Sequence, residues 1–153
     1  MINTILVAID TTDEQARSIV RVAASLAKDH DARLYALAVF QFSPQVIAGP
    51  GVAVAASPPS PEEEARLRDE TTDQLNGIIS DAAVDVEPLV EQGNPVNVIN
   101  GMARTLDADL TVVGCHQKGF WKALLDPSVS KTLLDDAPNA LFVVTSSFIE
   151  RLG

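Results

Sequence analysis

The sequence predicts a single α/β domain: an open sheet of five parallel strands with helices on both faces. Three observations predict it. Four short apolar runs and one alternating segment read as strands, and the first run suits a strand buried on both faces. Segments with helical apolar spacing separate most of these runs, giving the order βαβ–loop–αβαβ–loop–αβ. Alternation of this kind specifies parallel strands joined by right-handed crossovers. The length of 153 residues fits one domain and buries a core without disulfides or metals.

The first strand is Ile5–Ile9, a run of branched apolar residues closed by Asp10. From Thr12 the pattern becomes helical, with Ala16, Ile19, Val20, Ala23, Leu26 and Ala27 on one face. Leu34–Phe40 is the second strand. Residues 41–60 are rich in Pro, Gly, Ala and Ser, a loop length that is uncommon unless functional or mobile. Ser60-Pro61-Glu62-Glu63 announces the next helix, with Ser60 as cap and Glu63 completing a capping box. Its buried stripe is Leu75, Ile78, Ile79 and Ala82.

Val84–Val90 alternates and reads as the third strand. Gly93-Asn94-Pro95 turns into a helix whose apolar face is Val98, Ile99, Met102 and Leu106. Leu110–Val113 is the fourth strand, ending at Gly114. Asp126-Pro127 opens a last helix through Leu133, and Leu141–Val144 is the fifth strand. The domain spans 1–147, with 148–153 as a tail. No internal repeat is visible.

Composition narrows the function classes. Apolar residues make up 46% and charged residues 21%, the balance of an ordinary globular protein. Eleven basic against 21 acidic residues give a net charge of −10, a surface that repels nucleic acid and anionic membranes. The N-terminal MINTILVAID has no basic stretch before its short apolar run, and a cytoplasmic location is expected. With one cysteine, Cys115, no internal disulfide forms, and with only His30 and His116 beside it no structural zinc site is expected.

Ligands of such sheets sit beyond the carboxyl ends of the strands. Here those ends are Asp10, Val39, Glu91 to Gly93 and Gly114 to Lys118. Asp10 suits a hydrogen bond to adenine or ribose; it equally suits a cap for the first helix or a strand terminator. Asp10 with Asp13 is also reminiscent of a phospho-acceptor pocket. That chemistry calls for another Asp after the third strand and a Lys after the fifth, where Thr145 and Ser146 stand instead. Cys115 and His116 are adjacent, so on extended backbone their side chains diverge, and no third group orients them as a nucleophile and base. No catalytic residue is expected.

The strand ending in Asp10, the Gly93-Asn94-Pro95 turn and above all VVGCHQKGFWKALLDPSVSKTLLDDAPNALFVV resemble the universal stress protein family. The resemblance follows the element order of nearly the whole chain. It implies strand order 3-2-1-4-5, a stress-response role and a homodimer formed by antiparallel pairing of the final strands. Leu141, Phe142, Val143 and Val144 would form that interface, on a strand expected at a sheet edge. The other expectation for that edge is cover by the tail from Ser146 to Gly153.

The family has a nucleotide-binding branch, marked by a glycine, two residues, a second glycine, nine residues, then Gly-Ser or Gly-Thr. Its loop N–H groups and a helix N-terminus hold the phosphates. In this chain Gly114 matches the first glycine, but Gln117 and Pro127 replace the second and third, and Ser128 supplies the hydroxyl. Gln117 hinders close backbone approach, Pro127 has no N–H, and Asp126 as helix cap puts a carboxylate where an anion would bind. The other branch, typified by universal stress protein A, has Gly-x-His-Gln followed closely by Phe-Trp. Gly114-Cys115-His116-Gln117 with Phe120-Trp121 is similar to it, with one extra residue before Phe120. Phe120 and Trp121 suit either a plug over the nucleotide cleft or a docking surface for a protein partner.

The resemblance therefore implies a non-enzymatic, dimeric stress protein that acts through protein contacts and binds no ATP. The alternative is an ATP- or AMP-binding regulator, with magnesium as companion. Asp10, Val39, Gly114, Lys118, Ser128 and Val129 would then line the site, and the 41–60 loop would close over it.

Overall fold

A computed structural model describes residues 1–41, 50–51, 59–115 and 126–152, with Cys115 described in its backbone only. The strands are β1 (Thr4–Ile9), β2 (Arg33–Phe40), β3 (Val86–Gln92), β4 (Leu110–Cys115) and β5 (Ala140–Thr145). The helices are α1 (Ala16–His30), α2 (Pro61–Ile79), α3 (Pro95–Thr105), α4 (Pro127–Asp136) and α5 (Ser146–Leu152). The five strands form one sheet in the order β3-β2-β1-β4-β5, and all four pairings are parallel. This is the predicted architecture.

Alternation along the strands divides the core into two layers. Ile5, Val7 and Ile9 of β1 pack with Ile19, Val20 and Ala23 of α1 and Leu75 and Ile78 of α2. Leu6 and Ala8 face the other way, against Val96, Ile99 and Ala103 of α3 and Leu133 of α4. With helices on both sides, Ile5–Ile9 are at most 1% exposed, which is why the central strand reads as an unbroken apolar run.

The helix starts follow local chemistry. The Ser60 hydroxyl accepts the Glu63 N–H at 3.2 Å, so α2 begins at the predicted cap. Asn94 accepts the N–H groups of Val96 and Asn97 and starts α3, with Pro95 in its first turn.

Several boundaries differ from the sequence expectation: β4 runs on to Cys115 and α4 to Asp136, and α2 stops at Ile79, short of Ala82. Helix α1 begins at Ala16 rather than near Thr12. The Asp10 and Asp13 carboxylates take the N–H groups of Thr12 and Gln15 and hold this stretch as turns. Strand β3 runs two residues later than 84–90, because its register with β2 pairs Leu34 with Val86 and Phe40 with Gln92. Val84 instead packs beneath the sheet, partly buried against the first core layer. Finally, the C-terminal segment is helical: α5 inserts Ile149, 8% exposed, into the α1 layer. Phe148, Ile149 and Leu152 carry the spacing that foretells it.

Candidate functional site

The register aligns the carboxyl ends of the central strands. Ile9 pairs with Ala38 and Ala8 with Val113. One residue further along each strand therefore brings Asp10, Val39 and Gly114 to the same edge. This is where open α/β sheets place their ligands. The structure thus brings three of the six predicted lining residues together. Lys118 lies outside the described residues, as do His116, Gln117, Phe120, Trp121 and most of the 41–60 loop.

Each of the three already has a local structural task. The Asp10 Oδ1 accepts the Thr12 N–H at 2.9 Å and the Thr12 hydroxyl at 2.7 Å. Asp10 thus shapes the turn after β1 and does not cap α1, whose N-cap position is Gln15. Val39 is 4% exposed and faces the α3 layer. Gly114 lies under α1: a Cβ built on it would stand 2.3 Å from Cδ1 of Ile19.

The N-terminus of α4 is the place where a phosphate would be held. Pro127 occupies its first turn and offers no N–H. The Asp126 Oδ1 accepts the Ser128 N–H at 2.9 Å and the Ser128 hydroxyl at 2.6 Å. Those hydrogen bonds, the hydroxyl first and the backbone N–H second, hold the Asp126 carboxyl below its usual range. Asp126 is therefore an anion at neutral pH, seated on the helix end. Val129 packs, partly buried, against the α3–α4 layer.

A cation near this edge escaped the sequence reading. Arg68 of α2 donates from Nη1 to the Val90 carbonyl at 2.7 Å, and its guanidinium carbon lies 5.5 Å from the centre of the Phe40 ring. It thereby ties α2 to the ends of β2 and β3. Nothing in its spacing distinguishes it from Arg66, which pairs with Glu70 on the helix surface.

At the sheet edge, Phe142 is 38% and Val143 52% exposed, whereas Val144 is 1% exposed and belongs to the core. Leu141 is half-buried against the second layer. Among the described residues no group of His, Cys, Asp and Glu is placed to hold a metal ion. No described helix is long and apolar enough to cross a membrane.

Comparison with known proteins agrees with this geometry. The profile described as the universal stress protein family matches residues 1–145. No curated protein matches the chain. Among solved structures, a universal stress protein family member from Burkholderia pseudomallei is 23% identical, with a TM-score of 0.64 over 94% of this chain and 96% of that one. Universal stress protein UspA from Lactobacillus plantarum is 21% identical, with a TM-score of 0.61 over 94% and 97% of the two chains. A universal stress protein from Archaeoglobus fulgidus, solved in complex with dAMP, is 20% identical, with a TM-score of 0.59 over 94% and 98%. With the profile covering nearly the whole chain and the strand order matching, this protein belongs to the universal stress protein family.

Proposed function

We propose that this chain is a cytoplasmic, non-enzymatic stress-response protein that works as a homodimer through protein contacts and does not hold ATP. The Asp126 carboxylate, seated on the first turn of α4 and occupying both the N–H and the hydroxyl of Ser128, carries this reading. A triphosphate arriving at that helix end meets a fixed negative charge, a proline without an N–H and a hydroxyl already in use. The departures at Gln117 and Pro127 act in the same direction. The protein-contact role draws support from the unpaired apolar edge of β5, where Phe142 and Val143 are exposed.

A second reading rests on the relative from Archaeoglobus fulgidus solved with dAMP. A nucleoside monophosphate makes smaller demands on a phosphate cradle, and Asp10, Val39 and Gly114 share the edge where a base and ribose would lie. Calorimetric titration with ATP and magnesium, and separately with AMP, tests both, with the fluorescence of Trp121, the single tryptophan, recorded alongside. The first reading expects no heat and no fluorescence change up to millimolar ligand. Saturable ATP binding at micromolar affinity overturns it. Binding of AMP alone transfers the case to the second reading.

A further inference from the structure

A cavity of about 390 Å³ opens where α1, β5 and α5 meet, a volume within the roughly 300–1,000 Å³ of small-molecule sites. Its apolar walls are Val22 and Leu26 of α1, Phe142 of β5, and Phe148 and Leu152 of α5. Phe142 is 38% and Leu152 60% exposed, so two of the large apolar side chains left open to solvent converge here. Two walls come from α5, which lies beyond the segment that the family profile matches. The cavity shares no described lining residue with the strand-end site of Asp10, Val39 and Gly114.

The polar side of this cavity is cationic. Arg21 and Ser25 line it, one turn apart on α1 and beside the apolar row of Val22 and Leu26. No carboxylate stands among the described lining residues, in a chain with 21 acidic residues against 11 basic. Asp81 neutralises Arg21 only in part. Its Oδ1 accepts a hydrogen bond from Arg17 at 3.0 Å, whereas its Oδ2 stands 3.8 Å from Nη2 of Arg21, beyond hydrogen-bond reach. One carboxylate thus faces two guanidinium groups, and that of Arg21 keeps donors to offer. A further guanidinium, that of Arg151, lies 5.7 Å from the centre of the Phe148 ring in the cavity wall.

We propose that this cavity binds a carboxylate carried on an apolar tail, of the size of a medium-chain fatty acid. The Arg21 guanidinium matches the two carboxylate oxygens, and the Ser25 hydroxyl donates beside it. The tail lies along Val22 and Leu26, against Phe142 and Phe148. A neutral amphiphile leaves the guanidinium unused, and a cationic one is repelled by it. The field of the whole chain acts in the opposite sense, since a net charge of −10 attracts cations and repels anions. A preference for the anion therefore reports the local site. Side chains stand out of the plane of a sheet, so the Phe142 ring lines the cavity while the β5 backbone stays available for the edge pairing proposed above.

Calorimetric titration of the full chain with octanoate, alongside octanol and octyltrimethylammonium, tests the proposal. Saturable binding of octanoate is expected, at least about tenfold tighter than that of either control. Arg21→Gln should weaken octanoate by about tenfold or more, the worth of a hydrogen bond to a charged group, and leave octanol unchanged. Ser25→Phe, at an exposed position, should fill the cavity and abolish binding, with the fold by circular dichroism and the oligomeric state by sedimentation unchanged. Equal binding of the cationic amphiphile, or an Arg21→Gln variant that binds octanoate like the parent, would overturn the proposal as non-specific adsorption. Absence of octanoate binding would overturn it outright, and a Ser25→Phe protein that also loses a dimer formed by the parent would identify a second copy as the occupant.

Discussion

Gly114 and Ile19 compete for the same space. A Cβ at Gly114 would stand 2.3 Å from Cδ1 and 3.2 Å from Cγ1 of Ile19, a residue only 3% exposed. Gly114 is not among the residues with positive φ, so its backbone would accept any residue. Glycine is required there because α1 lies so close to β4. The glycine that matches the start of the nucleotide motif therefore has a packing reason to be present that is independent of any ligand. We expect Gly114→Ala to destabilise the protein by about 1–3 kcal/mol, the cost of overpacking a core. Ile19→Val, which removes the clashing Cδ1, should cost less in the Gly114→Ala background than alone. Urea unfolding of the two single variants and the double variant measures the coupling. Additive costs would show that the contact is not the cause.

The α4 N-terminus should become an anion site once its own anion is removed. Gln117→Gly with Pro127→Gly restores the family's glycine spacing, and Asp126→Ala removes the carboxylate that occupies Ser128. The triple variant is expected to bind ATP with a dissociation constant on the order of 1 mM or tighter, where the proposed function expects no binding by the parent; 1 mM corresponds to about 4 kcal/mol. Asp126→Ala alone also loses the helix cap and should lower thermal stability. A triple variant that is folded by circular dichroism yet calorimetrically silent would mean that the block lies elsewhere.

Asp109 makes acid stability a property of the sheet's base. Its Oδ2 accepts the Asn3 N–H at 2.7 Å and the Thr4 N–H at 3.0 Å, and its own N–H donates to the Thr4 carbonyl. The Asn3 bond, then the Thr4 bond, hold its carboxyl below the usual range. A pKa lowered on folding contributes stability that is present above the unfolded value, about 3.9. That contribution fades as pH falls through the lower folded value. Asp109→Asn should therefore lower Tm by a constant amount above about pH 5, with the gap to the parent narrowing below pH 4. Asp126, lowered by Ser128, contributes in the same direction and window. A gap that stays constant down to pH 2 would exclude the carboxylate charge as its source.

The Ser60 cap fixes where α2 begins. Ser60→Ala leaves the Glu63 N–H without its partner and should cost about 1 kcal/mol, Ser60→Gly only a few tenths. Equal losses for the two variants in chemical denaturation would argue against capping as the mechanism.

Much of the candidate site was legible because its signals are local. Asp10 and Gly114 follow apolar runs and Val39 is the last residue but one of another, and a strand's end is visible wherever the run stops. Ser60, Asn94 and Asp126 announce their helices because an N-cap acts within three residues of itself. What Asp10 does was less legible. A carboxylate after a strand suits a ligand, a cap or a turn, and the choice was made by Thr12, two residues away, which supplies both an N–H and a hydroxyl. Arg68 was invisible as a site residue because its partners, Phe40 and Val90, lie on two other elements.

The sequence by itself determined the element order, the parallel sheet and the anion at the head of α4, since periodicity, turn residues and capping act over a few positions. The order β3-β2-β1-β4-β5 came through family resemblance, because nothing local says which strands are neighbours. Only the tertiary structure decided that Gly114 makes room for Ile19, that Val144 is enclosed while Val143 is open, and that the C-terminal segment docks its Ile149 into the α1 layer. Each of these depends on how closely two distant segments approach, a distance set by the packing of the whole core.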